Sequence, residues 1–136
     1  MSKLNNNFKR KSFLKLKSEI QTLFYKAKKI KNPNFRLLYY FEFNSQQSGL
    51  KLFVSAPKKF LKSAVNRNTA KRRFKEAFRQ NCHQLKEISE TYNIKIFIGI
   101  IQNNSSLIKY SDIEKDLILS LQKIYIEIYE KLEQNS

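Results

Sequence analysis

Cys82 and His83 are the only cysteine and the only histidine in the chain, and they stand side by side. A thiol with an imidazole base would make a nucleophile. Neighbours on a helix, however, point about 100° apart and cannot easily meet side chain to side chain, so the pair reads as structural. One Cys and one His also fall short of the roughly four soft or imidazole ligands of a zinc site. The only two Asp residues, Asp112 and Asp116, lie one turn apart at the start of a helical pattern. There they suit the helix dipole better than a pair of catalytic metals. Neither a Gly-rich phosphate loop nor a dinucleotide fingerprint is present. No catalytic residue and no metal site is expected in this chain.

The alternative chemistry is grip. The stretch "SAVNRNTAKRRFKEAFRQN", Ser63 to Asn81, holds Arg67, Lys71, Arg72, Arg73, Lys75 and Arg79 against one acid, Glu76. On a helical wheel Ala70, Phe74, Ala77, Phe78 and Leu85 share one face, while Asn68, Lys71, Arg72, Lys75 and Arg79 share another. Like charges one turn apart cost a few tenths of a kcal/mol each, so this face calls for an anionic partner. Core residues take the opposite face, which leaves no apolar side to enter a bilayer. Nucleic acid is therefore expected rather than membrane.

Composition agrees. The 136 residues carry a formal charge of +16, with an isoelectric point near 10.0, as expected of a protein that displaces counterions from phosphates. Residues 1–75 contain 20 Lys or Arg against Glu19 and Glu42 alone, whereas residues 76–136 contain 7 against 9 acids. The cationic work thus belongs to the first half. A lone cysteine suits a reducing compartment. "MSKLNNNFKRKSF" has no apolar leader core, and "IFIGII", 96–101, is far too short to span a bilayer. A soluble, cytoplasmic protein is expected.

Several elements must position this grip. Residues 1–14 read as a basic arm, 15–130 as one domain and 131–136 as a tail. Ser18 with Gln21 resembles a capping box opening a helix over about 18–28, which "Lys31-Asn32-Pro33-Asn34" ends. "FRLLYYFEF", 35–43, and "LKLFVSA", 50–56, suit strands that pair as a hairpin across "SQQSG", with room for a further strand within 29–43. After the basic helix, "YNIKIFIGII", 92–101, reads as a buried strand. Ser111 with Glu114 forms a second capping box, opening a helix that carries Ile113, Leu117, Leu121, Ile124 and Ile128. Most of the aromatics Phe24, Phe35, Tyr39, Tyr40, Phe41 and Phe43 must face inward. Any left on a sheet surface could stack on unpaired bases, which points to RNA and away from DNA.

"KK" at 58 and 59 followed by "AVNRNTAKRRFKEAFR", Ala64 to Arg79, resembles the signature of the bacterial ribonuclease P protein family. Ala64, Val65, Arg67, Asn68, Lys71, Arg72 and Arg79 match directly, and Lys75 keeps the charge of an Arg. "SEIQTLF" resembles the family's first helix and "LKLFVSAPKK" its third strand, so the likeness spans roughly residues 8–126. Thr69 stands where the family has Arg and cannot offer its bidentate fork; Arg73 is the nearest candidate to replace it. "FLK" replaces small residues before the signature, with one residue extra, and Phe53 occupies a usual Gly position. The resemblance implies an α+β fold: a single-domain αβββαβα two-layer sandwich with a central sheet and a left-handed βαβ crossover. It implies that Lys58, Lys59, Arg67, Asn68, Lys71, Arg72, Lys75 and Arg79 bind a catalytic RNA subunit. It also implies that Ile20, Phe24 and Tyr39 line a cleft for the single-stranded 5′ leader of precursor tRNA. The magnesium ions of the reaction would be held mainly by the RNA. Set beside this are a ribosomal or chaperone-type RNA-binding module and, weakest, a free-standing nuclease.

Overall fold

The computed structural model describes residues 13–14 and 17–134. Alternation sets its sheet. In β2 (Phe35–Glu42), Phe35, Leu37 and Tyr39 enter one core cluster while Leu38 and Tyr40 join another, as the two-residue repeat of a strand requires. β2 runs antiparallel to β1 (Lys28–Lys31) and to β4 (Lys95–Gln102), and β4 pairs in parallel with β3 (Gly49–Ser55). The strand order is β1-β2-β4-β3.

The sheet separates two unequal cores. On one face, Leu37, Leu52, Ile96, Ile98 and Ile100 pack with Phe74 and Phe78 of α2 (Ala64–Asn81), Leu85 and Ile88 of α3 (His83–Thr91), and Ile113 to Ile128 of α4 (Tyr110–Gln134). On the other face, Leu38, Phe97 and Ile101 meet Leu23 of α1 (Lys17–Lys26). Gly99 permits that approach, because a Cβ there would stand 2.9 Å from Leu23 Cδ2. The result is a single α+β domain with the expected αβββαβα order, α3 being one further short helix.

Several expectations need correcting. β2 and β3 do not form a hairpin: β4 lies between them. "IFIGII" is the strand buried on both faces, and such a strand belongs in the middle of a sheet. The further strand exists as β1. "Lys31-Asn32-Pro33-Asn34" is the turn of the β1–β2 hairpin, with Asn32 N–H donating to Phe35 O at 3.1 Å, and not the stop of α1, which already ends at Lys26. Neither capping box forms. Ser18 lies inside α1, its carbonyl accepting from Thr22 Oγ1 at 2.9 Å. Glu114 accepts from Asn81 Nδ2 (2.9 Å) and the Tyr110 hydroxyl (3.2 Å), so it ties α4 to α2 instead of capping α4. Leu85 is buried as expected, but on α3, because the helix breaks at buried Cys82.

Of the expected basic arm, only Phe13 and Leu14 fall within the described residues. They run along the outer edge of β3: Phe13 bridges Leu52 in parallel, and Leu14 N–H donates to Leu52 O at 2.9 Å. At the other terminus α4 continues to Gln134, with Leu132 packed on the core, so most of the segment read as a tail is helical.

Candidate nucleic-acid interface

α2 begins where Ser63 Oγ accepts from Asn66 N–H at 3.3 Å, a side-chain cap for one of the helix's orphan donors. Ala70, Phe74, Ala77 and Phe78 are buried along its inner side, which fixes the rotation of the helix and turns the cations outward. Asn68, Arg72 and Lys75 are exposed, and Arg67, Lys71 and Arg79 half-buried. Lys58 and Lys59 are exposed in the loop before the helix. Val65 of the signature is 72% exposed, so its place in the motif does not come from packing within this chain.

These cations are not equivalent. Arg67 donates through Nη1 to the carbonyls of Leu61 (3.1 Å) and Lys62 (2.9 Å), so it braces the loop that leads into α2. Arg79 grips Glu76 through two nitrogens, at 3.2 and 2.6 Å. Hydrogen bonds from Gln80 and Arg79 hold the Glu76 carboxyl below its ordinary pKa, which keeps it ionised and partly neutralises that end of the face. Lys75 Nζ lies 5.2 Å from the Phe13 ring centroid and Lys59 Nζ 5.0 Å from that of Phe60, both as cation–π pairs. On α2 the cations in no ion pair, cation–π contact or carbonyl brace are therefore Lys71 and Arg72, and Lys58 before the helix is exposed as well. Arg73 does not substitute for the Arg missing at 69: its Nη1 donates to Ile108 O at 2.7 Å, pinning α2 to the β4–α4 loop. The Thr69 hydroxyl donates to Val65 O at 3.0 Å and faces Arg72 Nη2 at 3.4 Å. Thr69, Arg72, Arg73, Glu76 and Tyr110 line a pocket of about 400 Å³.

The second candidate surface is the groove between α1 and the sheet. Ile20 is half-buried in the smaller core, and Phe24, 48% exposed, meets Phe53 edge-on with ring centroids 5.6 Å apart. Tyr39 does not join them. Its neighbours Phe35 and Leu37 set the phase of β2, so Tyr39 points into the larger core on the opposite face, its hydroxyl donating to Glu127 Oε1 at 2.6 Å. Tyr40 takes the groove side, 6.2 Å from Phe97 and beneath Lys26 at 5.7 Å.

Cys82 is buried, and burial pushes its thiol up to about 11, the opposite of an activated nucleophile. His83 is exposed. Among the described residues no three His, Cys, Asp or Glu side chains gather where a metal could be held, so no step is assigned to a protein-bound ion.

Comparison with known proteins shows the family. The family model described as Ribonuclease P matches residues 8–125. The chain belongs to the ribonuclease P protein family. Relatives include the ribonuclease P protein component of Porphyromonas gingivalis, 29% identical over 82% of this chain and 81% of that protein. The protein component of Vibrio campbellii is 36% identical over 57% of this chain and 64% of its own length. The fold resembles the solved RNase P proteins of Staphylococcus aureus (TM-score 0.61, 20% identity, covering 84% of this chain and 97% of that one) and Thermotoga maritima (TM-score 0.61, 22% identity, 81% and 94%). Sequence reasoning missed Tyr40 and Phe97 on the groove side. The alternation of "FRLLYYFEF" could have found Tyr40 once either face of β2 was known.

Proposed function

We propose that this chain grips two RNAs at once, the catalytic RNA of ribonuclease P along α2 and the 5′ leader of precursor tRNA in the groove beside α1. As a ribonuclease P protein it is a subunit of the ribonucleoprotein endonuclease that matures tRNA 5′ ends. The observation that carries the finer reading is the division of α2. Ala70, Phe74, Ala77 and Phe78 are all buried, while Lys71 and Arg72, on the outer side, enter no ion pair among the described residues. Such a face stabilises an RNA backbone by neutralising phosphates and releasing counterions. Lys58 and Lys59, in the β3–α2 loop, extend the charge toward the groove, where Phe24 offers an exposed ring on which an unpaired base can stack.

In this division of labour the RNA subunit holds the catalytic magnesium ions and hydrolyses the phosphodiester. The protein lowers the repulsion between two polyanions and holds the leader, so its contribution is largest when magnesium is scarce. Arg67 and Arg73 act indirectly, by bracing the start of α2 and the β4–α4 loop so that the phosphate-facing side chains are positioned in advance. We place the protein with its RNA partners in the cytoplasm; among the described residues no helix is long and apolar enough to cross a membrane. The test is reconstitution of cleavage from purified protein, RNA subunit and precursor tRNA at modest magnesium.

A further inference from the structure

A second cationic cluster lies outside the signature helix. Lys31 of β1 and Arg36 of β2 are direct cross-strand partners. Arg36 lies between Phe35 and Leu37, which face the larger core, so both cations sit on the sheet face that carries α1. Like charges directly opposite on a ladder are destabilising, yet neither side chain has an ion pair or hydrogen bond among the described residues. Other cations do have acids: Lys28 bonds Glu127, Lys51 meets Glu19 at 2.9 Å, and Lys95 meets Glu42 at 3.1 Å. Lysines on an edge strand guard against edge-to-edge pairing, which would account for Lys31. It does not account for Arg36, because β2 is an interior strand.

Position adds a direction. The cross-strand row on this face runs from Ser55 of β3 through Ile101 of β4 to Arg36 and Lys31. That is three strand spacings, about 14 Å. At one end the chain leaves β3 and reaches Lys58 and Lys59 within a few residues; at the other stands the unneutralised pair. Phe24 and Phe53, one row away, border the same path.

We propose that Lys31 and Arg36 hold a leader phosphate upstream of the nucleotides in the groove, so that the leader crosses the sheet from β3 to β1. This rests on the reading of the groove as the leader site, and it adds a polarity and a minimum leader length. Only a leader long enough to cross the strands reaches the pair.

The experiment compares binding of precursor tRNAs with leaders of about two and about eight nucleotides, a range spanning single-strand site sizes. The holoenzyme carries either the wild-type protein or Lys31→Gln with Arg36→Gln. The expected result is a roughly tenfold loss with the long leader, as for lost charge-assisted contacts, and none with the short one. The salt slope should fall by about 0.7 for one single-strand phosphate contact, a change of about 2.6-fold between about 50 and about 200 mM salt. The charge-keeping variant Lys31→Arg with Arg36→Lys should retain long-leader binding, which a merely structural role would not require. An unchanged affinity, or an equal loss with both leaders, overturns the inference; the latter would assign the pair to the RNA subunit or the tRNA body. A wild-type holoenzyme indifferent to leader length would overturn the groove reading itself, and this inference with it.

Discussion

Replacing Gly99 by Val should lift α1 and damage leader binding while leaving the basic helix intact. Gly99 pairs with Leu38 on β2 and Phe53 on β3, directly beneath Leu23. A Cβ there would stand 2.9 Å from Leu23 Cδ2 and 3.5 Å from Leu38 Cβ. Carbon pairs settle at about 3.5–4.0 Å, so the Leu23 methyl must retreat by roughly 1 Å. For Gly99→Ala, a single methyl meeting the far end of a flexible side chain, that strain is offset by about 0.4–1 kcal/mol of reduced chain entropy in the unfolded state. The net change should be within about 1 kcal/mol. Valine adds two branched methyls beneath a fully buried Leu23, and overpacking of this kind costs about 1–3 kcal/mol. Strand propensity returns part of that, up to about 1 kcal/mol, so Gly99→Val should destabilise by about 1–2 kcal/mol in urea titrations analysed by linear extrapolation. Leader-dependent binding should weaken, whereas affinity for the RNA subunit should hold, because α2 packs on the other face of the sheet. A Gly99→Val protein of wild-type stability with full leader discrimination would refute the close seating of α1.

Other perturbations have separate readouts. Lys71→Ala with Arg72→Ala should reduce the salt slope of RNA-subunit binding by about one unit per lost phosphate contact; an unchanged slope would leave that face to solvent. Cys82 should resist alkylation at neutral pH in the folded protein and react once unfolded in urea, since burial raises its thiol to about 11. Alkylation at the rate of a free thiol would contradict this packing. Acid should destabilise the fold in a defined window. Burial raises the Glu127 carboxyl, but hydrogen bonds from Lys28 and Tyr39 outweigh it and leave the pKa below its ordinary 4.5; hydrogen bonds also lower Glu42 and Glu76. Because the folded values are depressed, the stabilisation is fully present above about 4.5 and is lost as pH falls through the lower folded values. The urea midpoint should therefore be flat from neutral to about pH 5 and drop below it, less steeply in Glu127→Gln. A midpoint unchanged in acid would contradict the network.

The α2 and α4 patterns were legible because each helix packs along a single stripe: Ala70, Phe74 and Ala77, or Ile113, Leu117 and Leu121, declare the buried face by spacing alone. Strand pairing was not legible. "FRLLYYFEF" and "LKLFVSA" are adjacent in sequence, and nothing local says that "IFIGII", forty residues on, will insert between them; that is decided by which strand can be buried on both faces. The same non-local choice set the phase of β2 and turned Tyr39 inward and Tyr40 toward the groove. In the interface the residue types were legible but their engagement was not. Arg67, Arg73 and Arg79 look alike in sequence, yet two of them brace carbonyls and one closes on Glu76, through contacts that depend on where the loops fall.

The central claim is that this chain grips RNA and leaves the chemistry to its RNA partner. Reconstitution tests it most directly, with precursor tRNA incubated at modest magnesium with purified protein, with RNA subunit, and with both. The expected result is no cleavage by protein alone, feeble cleavage by RNA alone, and efficient removal of the 5′ leader by the two together. Cleavage at that position by the protein alone would contradict it.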